Sequence, residues 1–172
     1  MFQVGQLIIY GSSGVCRVEE IGQIKNNPVA KPGREYYTLS PMFGSGKLCV
    51  PVDTGVFMRP VISKEQAIQL VEKIPEIQKE DCTIHDQRML AEHYRTFFES
   101  HECEDLVQLM KTVYAKNQSL KAMGRKPGKT DLQYMKRAED LLYGELAVAL
   151  EIAIDQVPVY IEQTVEKQTA NS

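Results

Sequence analysis

With 172 residues, 43% of them hydrophobic and 25% charged, and a net charge of −3, the chain has the composition of a soluble globular protein and enough length for one full core or two small ones. Long disorder is excluded, and so is a spanning helix, since no apolar run approaches the ~20 residues a bilayer requires. The four cysteines are scattered and form no CxxC pair, which excludes a disulfide scaffold, and the bulk acidity argues against binding nucleic acid through the overall field.

The first residues, MFQVGQLIIYGS, carry no basic residue ahead of their short apolar run, so no secretory signal is expected and the protein is placed in the cytoplasm. VGQLIIY reads as a strand, GSSG as a tight turn, and VCRVEEI as a second strand with Val15, Arg17 and Glu19 alternating against Cys16 and Val18. NNPVAKPG is a loop. EYYTLSP and KLCVPV are a third and fourth strand, separated by MFGSG, with Pro51 suited to an edge or a bulge. Four or five short strands in residues 1–60 predict a small SH3-like or Tudor-like β-barrel.

After Ser63 the apolar period becomes helical, so the fold class is α+β, with an all-helical domain over residues 61–172. Ser63 to Gln66 has the form of a capping box, Ala67, Leu70, Val71 and Ile74 make an inward stripe, and Pro75 stops it. Residues 75–82 read as a linker. Thr83 is placed to cap a second helix that turns Leu90, Tyr94, Phe97 and Phe98 inward. HECED opens a third helix, with an apolar face of Leu106, Leu109, Met110, Val113 and Tyr114. Gly124, Pro127 and Gly128 end that pattern, and Thr130 to Gln133 has the form of another capping box. The helix that follows carries Met135, Ala138, Leu142, Leu146 and Ala149 on one face. Asp155 and Pro158 mark a restart that runs into a polar tail.

No catalytic or cofactor signature is present. GSSG lacks the GxSxG spacing of a nucleophile elbow, and GSGK lacks the earlier glycine and the following Ser or Thr of a phosphate-binding loop. Cys82, His85, His101 and Cys103 fit no familiar zinc spacing. The chain therefore reads as a binding protein with no cofactor, no metal and no small-molecule substrate. Charge is uneven: residues 1–60 hold six cations against four carboxylates, while residues 61–172 hold 14 against 19. Within the acidic part, residues 106–130 contain no carboxylate and carry Lys111, Lys116, Lys121, Arg125, Lys126 and Lys129. That segment reads either as a solvated helix end with a basic loop, or as a local face for phosphates.

The order FQVGQLIIYGSSGVCRVEEI, EYYTLSP, LCVPVD, MRPVIS resembles the opening of CarD/CdnL transcription regulators, which typically begin F-x-x-G-D-x-V-V-Y-P-x-H-G-V-G. Phe2, Gly5, Ile8, Ile9, Tyr10, Gly14 and Val15 stand in the matching places, and Tyr36, Tyr37, Leu39, Val50, Pro51, Arg59 and Pro60 match later strand positions. AEDLLYGELAVAL is similar to the family's closing helix, so the resemblance spans about residues 1–150. It implies a Tudor-like domain that pairs a strand edge with the RNA polymerase β-subunit lobe, and a helical domain that contacts promoter DNA at the edge of the melted bubble. On that resemblance the polymerase-binding residues are Tyr36, Tyr37, Thr38, Lys47, Cys49, Val50 and Pro51, with the exposed edge at 36–40 or 47–52. The DNA-binding residues are Ile84, His85, Arg88, Arg95, Lys121, Arg125, Lys126 and Lys129, which hold the phosphate backbone with little sequence specificity.

The chain departs from the family pattern at Gln6, where the family has Asp, at the turn 11–14, at Cys49, where the family has a cation, and in having no tryptophan. Well-studied members wedge a Trp into the minor groove. The matching region, 83–88, offers Ile84, which is either a smaller wedge or a core residue. The competing reading is a protein-interaction adaptor that makes no DNA contact.

Overall fold

The computed structural model describes residues 1–170. Its strands are β1 (Leu7–Tyr10), β2 (Gly14–Gly22), β3 (Tyr36–Pro41), β4 (Leu48–Pro51) and β5 (Met58–Pro60). Its helices are α1 (Lys64–Lys73), α2 (Gln87–Thr96), α3 (Cys103–Ala122), α4 (Lys129–Leu150) and α5 (Val157–Ala170). The chain divides into two compact units, Met1–Ile62 and the part from Ser63 onward. Strands followed by helices make the fold α+β.

The five strands form one antiparallel sheet in the order β4-β3-β2-β1-β5. The expected barrel is corrected: β4 and β5 sit at opposite ends of this order and share no ladder, so the sheet is open. The reason lies in the outer rows. Val52 N donates to Glu35 O (3.1 Å), Gly11 N to Phe57 O (2.8 Å) and Val61 N to Leu7 O (3.3 Å). Alternate residues of an antiparallel strand bond to the same neighbour, so this parity turns the backbones of Pro51 and Pro60 outward. Each edge thus carries a proline where a closing strand would need a donor, and β5 has only three residues.

One face of the sheet buries Ile8, Cys16, Val18, Tyr37, Leu39 and Val50, with Phe2, Tyr10 and Ile21 packed against them. Simple alternation along β2 fails at Glu19. The register passes from Val18↔Leu39 to Glu20↔Thr38, a bulge that returns Ile21 to the core face beside Tyr37. The turn after β1 needs its glycine: Gly11 has φ +45°, and a Cβ there would lie 2.8 Å from Val56 Cγ1.

In the helical unit, Ser63 caps α1 as a full capping box: Gln66 N donates to Ser63 Oγ (3.1 Å) and Ser63 N to Gln66 Oε1 (2.8 Å). α4 is the central helix and packs against α1, α2, α3 and α5, burying Ala138, Leu142 and Leu146. Across it lies a polar knot. Asp131, 2% exposed, accepts from Tyr94 Oη at 2.6 Å and from Lys116 Nζ at 3.1 Å, which joins α2, α3 and α4. Tyr94 stacks obliquely on Tyr134 (centroids 5.7 Å), and Phe98 carries the Arg137 guanidinium 4.4 Å above its ring.

Three local expectations change. α2 begins at Gln87, not near Thr83, because Asp86 is the cap and its carboxylate accepts from Met89 N (2.9 Å). The capping box at 130–133 does not form. Gly128 is the N-cap of α4, and Asp131 is withdrawn into the core by Tyr94 and Lys116. Tyr114, expected on the inward face of α3, is 60% exposed, while Cys103 and Val107 are buried.

Burial, and then the hydrogen bond to Asp131, push the Tyr94 phenol far above its ordinary range. Folded Tyr94 therefore keeps its proton at a pH where the free phenol, with pKa ~10, has lost it, and stability falls as pH rises past that value. Tyr94→Phe is expected to cost about 1.5–3 kcal/mol in urea unfolding at neutral pH, through the lost bond to a charged acceptor. The same variant should flatten the loss of stability above pH ~10, a difference read by repeating the titration across that range.

Candidate functional site

Two surfaces carry the residues expected to bind partners, one in each unit. In the sheet, the edge is β4. Tyr36, Tyr37 and Thr38 lie on β3, between β2 and β4, so the alternative edge at 36–40 is overturned. The two tyrosines are structural. Tyr36 is 8% and Tyr37 3% exposed, and their hydroxyls accept from Lys31 N (3.0 Å) and Phe2 N (3.1 Å). Val50 is also core, at 8% exposed, and holds β4 onto β3 opposite Tyr37.

What β4 offers outward is main chain. The parity set by Val52 turns Leu48 and Val50 toward β3 and leaves the Cys49 N–H and the Cys49 carbonyl on the outer row, while the Pro51 carbonyl accepts from Thr54 N (3.0 Å). That is one donor followed by one acceptor, with no second N–H because Pro51 has none. Lys47 and Cys49 are exposed beside it. Arg34 and Asp53 close the far end through a pair at 2.8 Å, which holds the Asp53 carboxyl below its usual range. The sequence reading treated MFGSG only as a turn, yet Phe43 at its tip is 53% exposed on the approach to β4. An aromatic inside a glycine-rich turn was the available signal.

In the helical unit, the basic segment splits by use. Lys111 donates to the carbonyls of Ile74 (2.8 Å) and Ile77 (2.6 Å), and Lys116 is held by Asp131, so these two cations serve the fold. Lys121, Arg125, Lys126 and Lys129 are all exposed, and none forms an ion pair among the described residues. They cluster where α3 turns into α4. A Schellman turn builds that tip: Arg125 N donates to Leu120 O (2.8 Å), Gly124 N to Lys121 O (3.0 Å), and Gly124 takes φ +71°. Met123, 62% exposed, stands among the cations, and no periodicity argument selected it.

The remaining candidates are dispersed. Arg88 is exposed on α2 and pairs with Glu92 at 3.6 Å. Arg95 donates from Nε to Tyr134 Oη at 3.1 Å, which fixes its stem to α4. Ile84 is half-buried and His85 exposed, in the irregular segment before α2. No group of three or more His, Cys, Asp or Glu residues that could hold a metal occurs among the described residues. No described helix is long and apolar enough to cross a membrane.

Residues 2–62 match the family model of the CarD-like/TRCF RID domain, and the sheet unit is thus a CarD-like RNA-polymerase-interacting domain. This is a family of protein-interaction domains, not catalytic ones. The match ends where the sheet unit ends, at Ile62, and leaves the helical unit outside it. No curated protein matches the chain.

The thiols give a direct check on the outward row of β4. Cys16 and Cys103 are buried, Cys82 is half-buried and Cys49 is exposed, and burial pushes the Cys16 thiol up. An aromatic disulfide reagent is expected to titrate Cys49 first in the folded protein, and to reach Cys16 and Cys103 only after denaturant is added. Mass mapping of the first-labelled peptide reads the order.

Proposed function

We propose that this protein is a non-catalytic transcription regulator that binds the RNA polymerase β-subunit lobe through β4 and contacts promoter DNA through the α3–α4 tip. The match over residues 2–62 carries the first half of this reading. The single outward donor of Cys49, with the carbonyl of the same residue beside it, suits one added strand from a partner sheet. A short edge of that kind gives register but modest affinity, so nearby side chains such as Lys47 and Phe43 supply the remainder.

The four unpaired cations of the tip support the second half. Phosphates are attracted irrespective of base, through counterion release, and a local cluster suffices even when the unit as a whole is acidic. With no tryptophan in the chain, Ile84 is the smaller apolar group nearest the position of the family's wedge. Its half-buried state limits how far it reaches. The acidic balance of residues 61–172, 14 cations against 19 carboxylates, favours the second reading, an adaptor on polymerase that makes no DNA contact.

Two experiments separate these outcomes. Cys49→Pro removes the outward donor and leaves the bonds to β3 in place. It is expected to change stability by less than about 1 kcal/mol while weakening polymerase binding roughly tenfold. Full affinity in that variant excludes strand pairing at β4. In the second, Lys121, Arg125, Lys126 and Lys129 are changed together to Ala, and binding to polymerase with promoter DNA is measured against salt. The slope of log K on log salt should drop by about 3–4. An unchanged slope would favour the adaptor.

A further inference from the structure

We propose that the helical unit holds a binding site for a small amphipathic carboxylate, its apolar body seated between α3, α4 and α5 and its head on Lys111. This is independent of the polymerase reading and concerns a cleft that neither partner surface uses.

The cleft begins with α3. Leu106, Leu109 and Val113 pack into the core, but Val107, Met110, Lys111, Tyr114 and Ala115 recur at helical spacing along a second face. That second face lines a cleft of about 370 Å³, whose other walls include Met135, Leu142 and Tyr143 of α4 and Ile161 of α5. The volume lies at the lower end of the range of small-molecule sites, about 300–1,000 Å³. It also explains why Tyr114 remains 60% exposed on an otherwise apolar face.

The polar chemistry of this cleft is cationic and unbalanced. Two lysines, Lys79 and Lys111, line it, and no carboxylate does. Lys79 pairs with Asp81 at 3.5 Å. Lys111 has no anionic partner among the described residues: its ammonium donates to the carbonyls of Ile74 and Ile77, two neutral acceptors for three N–H bonds. A partly buried ammonium against an apolar wall, with one donor left over, is complementary to a single carboxylate on an apolar chain. A neutral apolar ligand would fill the same walls and leave that donor unpaired. A phosphate or a polyanion would bring more charge than one lysine can match.

Decanoate, kept well below its micellar concentration, is the probe, and decanol is its uncharged counterpart. Both are titrated into the full chain carrying labelled methionine methyl groups. The methyl resonances of Met110 and Met135 are expected to shift with decanoate, while those of Met1 and Met89, 89% and 59% exposed, stay fixed. Decanoate is expected to bind about tenfold more tightly than decanol or better, as one charge-assisted hydrogen bond implies. Lys111→Met retains the stem and should bring decanoate down to the affinity of decanol, and Ala115→Trp, which fills the cleft, should abolish both. Equal affinity for decanoate and decanol in the unmodified protein overturns the proposal, and needs no variant to fold. Absence of any shift at Met110 and Met135 also overturns it, and would assign the cleft to apolar side chains of a partner.

Discussion

The helical unit turns on one buried carboxylate. Asp131 sits in the first turn of α4, where the helix dipole already favours negative charge, and it draws in Tyr94 from α2 and Lys116 from α3. Two charge-assisted bonds to a group 2% exposed are worth a few kcal/mol together, and removing either partner leaves buried charge poorly matched. The geometric effect matters more than the energy. Lys116 and Asp131 lie on either side of the α3–α4 turn, so their pairing fixes the base of that hairpin. The turn itself then closes through the Schellman bonds at Gly124 and Arg125. The cations beyond the base are set on a rigid tip with no carboxylate to neutralise them. Lys116 serves the interior, as Lys111 does, while three lysines and one arginine stay outside.

The sheet unit rests on a comparable device that uses absent donors. An open five-stranded sheet has two edges, and each is a hazard for uncontrolled pairing. Here Pro51 and Pro60 remove one outward N–H from each, while the inward bonds that hold β4 and β5 in place survive. β5 is left with three residues and little to offer. β4 retains the amide and carbonyl of Cys49, enough for a short partner strand in one register and too little for a long one. Selectivity of this kind follows from parity: Pro51 lies opposite Tyr36 as a pair without a hydrogen bond, and a one-residue shift of the ladder would move it into a position that needs the N–H it lacks.

Much of this was legible in the sequence. β-branched and aromatic runs between Gly and Pro clusters placed the first four strands, and the Ser63 capping box located the start of α1. Whether the sheet closes was not legible, because closure depends on how two distant edges face each other, and propensity carries no such term. Thr83 and Thr130 were plausible caps that lost to tertiary demand. Asp86 stands closer to the first buried residue of α2, and α4 starts at Lys129, so Thr130 already lies inside the helix and is not its cap. The family resemblance at Tyr36 and Tyr37 suggested a docking surface, whereas their hydroxyls in fact tie Lys31 and Phe2 to the sheet. Aromatic residues in a short strand serve core and surface equally well, and only the register separates the two. Among the six cations, the sequence reading named Lys121, Arg125, Lys126 and Lys129 as DNA-binding and assigned Lys111 and Lys116 no role. The distinction between two that serve the fold and four that do not depends on which carbonyl or carboxylate lies within about 3 Å, a fact of tertiary structure.

α3 carries two apolar stripes. A helix with one stripe hides it against the core and presents a charged back. α3 has a second stripe one residue further round, ending at Tyr114, and residues 106–130 contain no acidic side chain at all. Those two properties are linked. A carboxylate on the second stripe would neutralise Lys111 inside the cleft, and one on the last turn would neutralise Lys121 at the tip. Lack of acid along α3 beyond its first turn therefore preserves positive charge in two different places, one half-buried against an apolar wall and one in water. The first suits a compact anion carrying hydrocarbon, the second an extended anion carrying none. A single compositional bias thus leaves two chemically distinct cationic surfaces, both reached by α3.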